Sequence, residues 1–525
     1  MGDYVNPGVD KFQMSLDSKI YVDKSSLIAK TNAVFRTRQR FICISRPRRF
    51  GKTMAAEMLA AYYGIGDDAS PLFENLAIAK HPSYQEHLNK HNVIMINMQE
   101  FLSNTTSVTK MIKMLQLKVT KELQQANSEI PYDEIDDFIQ VMKDTYRQTK
   151  RPFVILIDEW DCLFREYKDD KESQKAYLDF LRLWLKDQAY VGLAYMTGIL
   201  PIKKYGTHSA LNMFDEYSMI DPYHFINYFG FTSLEVGKLC DTFKMDIEEI
   251  KTWYNGYFIG RDDPIYNPNS LTICLNRRKI GNYWNKTETY EALKDYITFE
   301  FDGLQNKFAQ LIAGSQLKMN PDKFANDMRT FNSNDDVLTL LVHLGYLSYC
   351  EEGSTVRIPN EEVKREFINS IEDLADWSTV VSAIQSSELL LQAIWNKETA
   401  LVAERVQKVH EQNTAILEYN DENSLSCVLS LALYTASHYY TIIRELPTGK
   451  GYADLVFIPR KKFADKPAMV VELKWDKTAS GAISQIKEKH YISAMDDYHG
   501  NLLLVGLNYD KGTKIHECLI ETLTL

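Results

Sequence analysis

Four short apolar runs in the N-terminal part of the chain constrain its fold more than any other feature. They are RFICIS (40–45), NVIMINM (92–98), PFVILIDE (152–159) and VGLAYMTG (191–198). None of them alternates between apolar and polar residues, and helix-length segments separate them, which is typical of parallel strands covered on both faces. The pattern therefore predicts an α/β domain with a parallel sheet over residues 1–235.

Two further patterns follow along the chain. Amphipathic helices dominate residues 236–400, and residues 340–367 have the pattern of a helix, a short hairpin and a helix, which predicts a winged-helix-like unit. Helices and strands alternate again in residues 401–525, which indicates a compact α/β domain. Because 525 residues are too many for one ordinary core, we expect an α/β multidomain protein with these three domains.

Charge and cysteine usage exclude some functions and leave others open. The net charge of -11 gives no overall attraction for nucleic acid, although a local basic groove would still allow it. The start MGDYVNPGVD has neither a basic nor an apolar stretch, and no later run is long enough to span a membrane, so we expect a cytoplasmic protein. Seven scattered cysteines without a C-x-x-C pair predict neither a zinc site nor a disulfide framework.

The segment SRPRRFGKT (45–53) joins the first apolar run to a helical segment, TMAAEMLAAYY. A strand, a tight turn and a helix N-terminus are the parts of a phosphate-binding loop. In such a loop Gly51 would allow close approach of the backbone, Lys52 would reach the β- and γ-phosphates, and Thr53 would hold Mg²⁺. Arg46 stands where the usual pattern has its first glycine. By itself the segment fits a phosphate loop and a basic helix-capping turn about equally.

Three arginines, Arg46, Arg48 and Arg49, lie in this segment. Guanidinium groups would neutralise phosphates there, or would hold a neighbouring acid. An isolated basic cluster is more often a solvated surface, but the nearby Lys52 favours the phosphate interpretation.

A second motif, FVILIDEW, decides between the two interpretations of the loop. It ends an apolar strand with Asp158 and Glu159, at the carboxyl edge where open α/β sheets bind ligands. Asp158 would support the Mg²⁺ shell, and Glu159 would polarise the water that attacks the γ-phosphate. Thr197, at the end of the next apolar run, is either a sensor of the γ-phosphate or part of a plain turn. The two motifs together predict ATP and Mg²⁺ as ligands.

The C-terminal part contains charged residues within apolar strands. Asp454 lies in GYADLVF, and Glu472 and Lys474 lie two residues apart in MVVELKW, which places the latter pair on one face of a strand. Burying such charges is costly unless they are paired or bind a metal. A hydrolytic Mg²⁺ or Mn²⁺ site held by Asp454 and Glu472, with Lys474 positioning the water, would explain them. The alternative is a solvent-facing edge strand with a Glu–Lys pair.

The chain resembles the AAA-ATPase-like, mostly bacterial family that carries a C-terminal PD-(D/E)XK nuclease-superfamily domain. The resemblance rests on NPGVDKF, YVDKSSLI, SRPRRFGKT, ILIDEWD, LNMFDEYS, WYNGY, IYNPNSL, LGYLSY and IPNEEV. It implies a P-loop NTPase core in which the loop itself has the form R-P-R-R-F-G-K-[ST]. It also implies that Glu422 is a helix acid and metal ligand of the nuclease site. In the helix after the catalytic strand, the matching residues are Gln485, Lys489 and Tyr491.

These observations lead to one main hypothesis and two alternatives. The main hypothesis is an ATP-binding and ATP-hydrolysing protein whose nucleotide state controls a metal-dependent nuclease-like domain acting on DNA or RNA. The first alternative is a nucleotide-dependent signalling or defence-type interaction protein whose C-terminal module cleaves nothing. In the second, the nuclease works independently while the N-terminal domain binds nucleotide without turnover. The oligomeric state and protein partners stay open.

Overall fold

The computed structural model describes residues 2–202, 211–259, 264–284, 289–299, 301, 303–322, 324, 331–417, 422–448, 451–488 and 501–524. Only the backbone is described at 289–292, 413–417, 422–424, 444–448, 451–454 and 524. The chain divides into two compact units: residues 1–286 with 318–363, and residues 287–317 with 364–525. The borders of the three domains inferred from the sequence stay a prediction.

A sheet of five parallel strands forms the centre of the first unit, in the order β2-β3-β4-β1-β5. The strands are β1 (Phe41–Ser45), β2 (Asn92–Asn97), β3 (Phe153–Asp158), β4 (Val191–Gly198) and β5 (Asp215–Tyr217). Every residue of β1, β3 and β4 is buried, which explains why these runs lack polar alternation. The predicted parallel sheet is confirmed. The short, partly exposed β5 has too little apolar pattern to be recognised from sequence.

Helices flank this sheet and connect its strands. They are α1 (Asp10–Leu16), α2 (Leu27–Val34), α3 (Lys52–Tyr63), α4 (Ser70–Phe73), α5 (Tyr84–His87), α6 (Met98–Ser103), α7 (Val108–Ala126), α8 (Phe138–Thr149), α9 (Cys162–Glu166) and α10 (Lys171–Leu185). Short 3₁₀ helices lie at Ala77–Lys80 and Tyr223–Tyr228. The alanine-rich α3 buries most of its residues against β2, β3 and β4, and it ends at Gly64. Its N-terminus is thereby held at the carboxyl edge of the sheet.

The middle of the chain is mainly helical, as expected. Its elements are α11 (Ser233–Phe243), α12 (Ile247–Tyr254), α13 (Pro268–Arg277), α14 (Thr289–Ile297), α15 (Leu304–Ile312), β6 (Leu317–Lys318), α16 (Asn334–Leu344), β7 (Ser348–Cys350), β8 (Thr355–Arg357) and α17 (Glu361–Ile371). The helix, hairpin and helix of the winged-helix-like pattern are α16, β7 with β8, and α17. A capping box of Ser333 and Asp336 begins α16, and Gly345, with φ 87°, ends it.

A mixed five-stranded sheet, ordered β13-β12-β11-β10-β9, forms the core of the second unit. Its strands are β9 (Tyr440–Thr448), β10 (Gly451–Pro459), β11 (Ala468–Trp475), β12 (Asn501–Asp510) and β13 (Ile515–Thr524). The helices are α18 (Ser378–Trp395), α19 (Thr399–Leu417), α20 (Glu422–Ala432), α21 (Ala436–Tyr439) and α22 (Ala479–Glu488), with 3₁₀ turns at Ala375–Trp377 and Lys461–Phe463. Strands β11 and β12 are parallel, and the other pairs are antiparallel. The sequence pattern indicated the three inner strands but missed the two at the edges.

In the part of the chain that the structure describes, no helix is both long enough and apolar enough to cross a lipid bilayer.

Candidate nucleotide site and candidate nuclease site

The strand order brings three strand ends together at the carboxyl edge of the parallel sheet. Strand β4 lies between β1 and β3, with Ile44 opposite Thr197 and Ile157 opposite Met196. The loop that follows β1 therefore starts beside Thr197, and the acidic end of β3 lies on the other side of the same residue. This edge is where open α/β sheets bind ligands.

The turn before α3 contains the glycine and the lysine that the sequence predicted for a phosphate-binding loop. Gly51 adopts a left-handed conformation with φ 91°, and a Cβ built there would contact nothing within 4 Å. The glycine is therefore required for its backbone angles and not for space. The Lys52 Nζ donates hydrogen bonds across the turn to the carbonyl oxygens of Arg46 (3.0 Å) and Pro47 (2.9 Å). Burial lowers the pKa of Lys52, and the nearby carboxylates of Glu159 and Asp158 oppose this shift.

The Asp158 carboxylate connects the three strand ends. Its Oδ2 accepts a hydrogen bond of 2.6 Å from the Thr53 hydroxyl, and its Oδ1 accepts one from the Thr197 hydroxyl. The backbone N–H of Glu159 also donates to Oδ1, at 3.0 Å. A carboxylate and a hydroxyl at a helix N-terminus are oxygen donors of the kind that Mg²⁺ binds, so these residues fit the ion that the two sequence motifs predict.

Arg46 occupies a different position from the one predicted. It is fully buried, and its guanidinium donates to the carbonyl oxygens of Ser45 (2.8 Å), Tyr217 (2.9 Å), Ser218 (2.9 Å) and Phe225 (3.3 Å). Burial lowers its pKa to about 10. With these bonds made inside the protein, the geometry favours a role in bracing the loop over the predicted contact with nucleotide.

The other two arginines of the loop differ from Arg46. Arg48 and Arg49 are only partly buried, and Arg49 has a left-handed φ of 67°. A residue other than glycine in this conformation is uncommon, and it contributes to the tight turn. Of the three predicted arginines, these two are left as candidates for contact with phosphate.

Apolar residues of the loop pack against the mainly helical part of the first unit. The Phe50 ring meets the Tyr257 ring edge-on with centroids 5.2 Å apart, and Tyr257 in turn stacks with Trp284. A Cβ on Gly345, just after α16, would lie 2.8 Å from the Pro47 Cβ. Arg46, Pro47 and Phe50 are thus the residues whose contacts anchor the loop.

Two further charged residues at this edge were not recognised in the sequence. Asp161 is fully buried, and its Oδ2 accepts hydrogen bonds from the backbone N–H groups of Ile199 (3.1 Å) and Leu200 (2.8 Å). Arg165 donates to the Glu159 carboxylate, and its Nε lies 3.3 Å from the same Asp161 oxygen. Burial raises the pKa of Asp161, and Arg165 opposes this. The four-residue spacing of Asp161 and Arg165 is the one sequence signal for this pair.

In the second unit, the charged residues of β11 form a buried cluster. Glu472 and Lys474 are both buried, and the Lys474 Nζ lies 2.9 Å from the Glu472 Oε1. Gln485 of α22 donates to the same oxygen. Because β11 is the central strand of its sheet, the alternative of a solvent-facing edge strand is wrong.

The remaining residues predicted for this site are only partly described. Leu455 on β10 pairs with Val471 on β11, so extending this antiparallel register by one residue places Asp454 opposite Glu472. Glu422 is the first residue of α20. The side chains of Asp454 and Glu422, and the whole of Lys489 and Tyr491, lie outside the described residues. Among the side chains that are described, no three His, Cys, Asp or Glu residues form a group able to hold a metal ion.

A glycine in β12 sets the distance between the sheet and α22. A Cβ on Gly506 would lie 2.4 Å from the carbonyl oxygen of Ala479 and 3.1 Å from the Cβ of Ala482. We expect Gly506→Ala to destabilise the protein by about 1–3 kcal/mol, because the helix must move away. Urea unfolding would measure this. The matched control is Gly512→Ala in an exposed turn, and equal stability of the two variants would contradict the prediction.

The two sites and their sheets define the class of each part of the chain. A parallel sheet with a Gly-Lys-Thr helix start and an acidic strand end is a P-loop-type fold, and a buried Glu-x-Lys strand in a mixed sheet is typical of nuclease-like folds. A family model described as "Predicted AAA-ATPase" matches residues 7–207, and one described as "PD-(D/E)XK nuclease superfamily" matches residues 420–517. These two matches confirm the resemblance of residues 7–207 to an AAA-ATPase-like domain and of residues 420–517 to a PD-(D/E)XK nuclease-superfamily domain, and they agree with the predicted fold class.

Individual relatives are more distant. A protein of Azotobacter chroococcum mcd 1, described as "Uncharacterized protein in vnfD 5'region", is 26% identical over 291 residues, which are 54% of this chain. The match covers 53% of that relative, so this chain spans about half the length of the curated relative it matches.

Two solved structures show weak similarity. The Aeropyrum pernix ORC2 protein (ADPNP-ADP complexes) is 9% identical, with 68% of this chain and 96% of that chain covered, at a TM-score of 0.30. Cdc6p from Pyrobaculum aerophilum is 10% identical, with 67% and 93% covered, at a TM-score of 0.21. At these TM-scores neither likeness carries an argument.

Proposed function

We propose that this protein binds and hydrolyses ATP, and that its nucleotide state controls a C-terminal nuclease-like domain dependent on Mg²⁺ or Mn²⁺. The observation that carries the proposal is the cluster of Thr53, Asp158 and Thr197 at the N-terminus of α3, with Lys52 beside it. Such a cluster brings amide donors, a cation and oxygen ligands together at the N-terminus of one helix.

Each residue of the nucleotide site has a chemical task in this proposal. The amides at the start of α3 and the Lys52 ammonium bind the phosphates. Thr53 and Asp158 would hold Mg²⁺, which offsets charge on the phosphates when bound. Glu159 takes a proton from the attacking water, and Thr197 orients the γ-phosphate or that water. Arg48 and Arg49 would add positive charge near the phosphates.

In the C-terminal domain, Asp454 and Glu472, with Glu422, would hold Mg²⁺ or Mn²⁺. The ion when bound would activate water and polarise the scissile phosphate. Lys474 holds the Glu472 carboxylate and offsets charge on a DNA or RNA backbone. Control by nucleotide is proposed from the presence of both domains in one chain. A cytoplasmic location also belongs to this proposal.

One observation favours a second candidate function. The Glu472 Oε1 accepts hydrogen bonds from both Lys474 and Gln485, so its charge is balanced inside the protein. A domain with such a cluster would bind a partner without cleaving nucleic acid. In that case the protein is a nucleotide-dependent interaction protein, of the signalling or defence type.

Cleavage assays on the full chain test the proposal. Single- and double-stranded DNA and RNA would be incubated with Mg²⁺ or Mn²⁺, in the presence of ATP, of ADP or of neither. We expect cleavage that responds to nucleotide and falls by more than about 100-fold in Asp454→Asn, because metal binding supplies several kcal/mol. Lys52→Ala should abolish the response to ATP.

Asp465→Asn is the matched control, because that acid is exposed and lies in the same domain. Cleavage that is unchanged in Asp454→Asn contradicts the nuclease assignment. Cleavage at the same rate with ATP, with ADP and without nucleotide contradicts the proposed control of the nuclease-like domain by nucleotide. ATP turnover without any cleavage supports the second candidate function.

A further inference from the structure

Arg165 lies between two carboxylates beside the candidate nucleotide site. Its side chain is only 10% exposed, and it pairs with Glu159 on one side and with Asp161 on the other. Asp161 is itself held by the N–H groups of Ile199 and Leu200, directly after β4. The position of the guanidinium is therefore set by the backbone of the sheet edge.

Glu159 is held at both its backbone and its side chain. Its φ of 53° lies in the left-handed region, which is uncommon for a residue with a Cβ, and its backbone N–H donates to the Asp158 carboxylate. One carboxylate oxygen, Oε2, pairs with Arg165. Within the described residues the other oxygen, Oε1, makes no hydrogen bond, and the side chain is 23% exposed. Arg165 thus holds the Oε2 atom of Glu159, while the Oε1 atom stays available to a molecule from outside the protein.

The buried Lys52 is a second cation of this site, and its Nζ donates to the carbonyl oxygens of Arg46 and Pro47 rather than to Glu159. Burial lowers the pKa of Lys52, and the negative charge of the Glu159 carboxylate opposes this shift. An unrestrained glutamate would therefore turn toward Lys52, since the two charges attract strongly in a buried site. That contact would move the Glu159 carboxylate away from the attacking water and the Lys52 ammonium away from the phosphates.

We propose that Arg165 is a positioning residue for Glu159, which keeps the carboxylate directed at water and away from Lys52. The inference rests on the proposed ATP hydrolysis and adds a residue to that site. Arg165 touches neither nucleotide nor water in this role, and it acts only through Glu159. The guanidinium fork suits the task because one cation binds two carboxylates at fixed angles.

The test compares Arg165→Gln and Arg165→Lys with wild type, alone and in a Glu159→Gln background. We expect kcat to fall roughly 100-fold in Arg165→Gln, the effect of a misplaced catalytic group, with a much smaller change in KM. Arg165→Lys should recover part of kcat, and added guanidinium should raise the turnover of Arg165→Ala. In the Glu159→Gln background, Arg165→Gln should cause no further loss, because the two residues act as a unit.

Calorimetric ATP binding gives a readout that does not depend on turnover. In the wild-type background, Arg165→Gln should weaken ATP binding a few-fold, because Glu159 then pairs with Lys52. In the Glu159→Gln background it should leave ATP affinity unchanged. Circular dichroism would verify folding, and if the glutamine variant unfolds, Arg165→Lys and its kcat carry the test.

The outcomes separate this inference from the proposed function. Equal losses from Arg165→Gln in both backgrounds, or wild-type kcat in that variant, overturn the positioning role and leave ATP hydrolysis standing. No turnover in wild type, or unchanged turnover in Glu159→Gln, overturns the proposed hydrolysis and the positioning role together.

Discussion

Replacing Glu159 by Gln is expected to lower ATP turnover by roughly 10²–10⁴-fold while ATP binding persists, since general base catalysis contributes about this much. The amide has nearly the same shape as the carboxylate but does not accept a proton from water. The groups proposed to bind phosphate, Lys52 and the amides of α3, are not altered by the substitution. Steady-state phosphate release measures turnover, and calorimetry measures binding.

The control for this prediction is Glu172→Gln, an exposed glutamate in the first turn of α10. Its turnover should equal that of wild type. Unchanged turnover in Glu159→Gln would remove this residue from the mechanism. Loss of ATP binding together with turnover would show that the substitution disturbs the loop and not only the base.

Replacing Arg46 by Met is expected to destabilise the first unit by about 3–5 kcal/mol, because it removes the donor of a buried hydrogen-bond network. The guanidinium donates to four carbonyl oxygens, and each of these hydrogen bonds that is not replaced would cost about 1–3 kcal/mol. Arg46→Lys should keep only part of the lost stability, because a single ammonium group does not reproduce the planar guanidinium fork. Urea unfolding followed by circular dichroism measures the change.

Arg38→Met is the control, because this arginine is exposed on the same unit, and we expect a change within about 0.5 kcal/mol. The opposite result for Arg46→Met, normal stability with weakened ATP binding, would restore the role predicted from sequence. The Arg46→Met prediction thus assigns the start of the SRPRRFGKT loop to holding the loop in place, while the proposed contact with nucleotide stays with its Gly-Lys-Thr end.

Much of the fold was predictable because its signals are local. Strands buried on both faces have continuous apolar runs, so β1 to β4 are visible in the sequence, as are β10 to β12. The edge strands β9 and β13 lack such runs and were missed. In the site, Gly51, Lys52 and Thr53 follow from loop chemistry, and Asp158 and Glu159 from their place at a strand end. Period two likewise places Glu472 and Lys474 on one face.

The other features of the candidate nucleotide site depend on packing between segments that are distant in the sequence. Only the strand order puts β4 between β1 and β3, so that Thr197 and Thr53 donate to the same carboxylate. Likewise, the sequence shows Arg46 only as one cation of a basic segment, and the tertiary structure shows that its side chain is buried.

By itself, the sequence determined the strands with continuous apolar runs, the helical character of the segments between them and which residue types stand at their ends, since periodicity and turn chemistry depend on near neighbours. Tertiary structure alone decided which charges share a buried environment: Arg46 with four carbonyl groups, Arg165 with Glu159 and Asp161, and Gln485 with Glu472. The physical reason is that the cost of burying a charge depends on partners distant in the chain. Strand order and helix packing supply those partners.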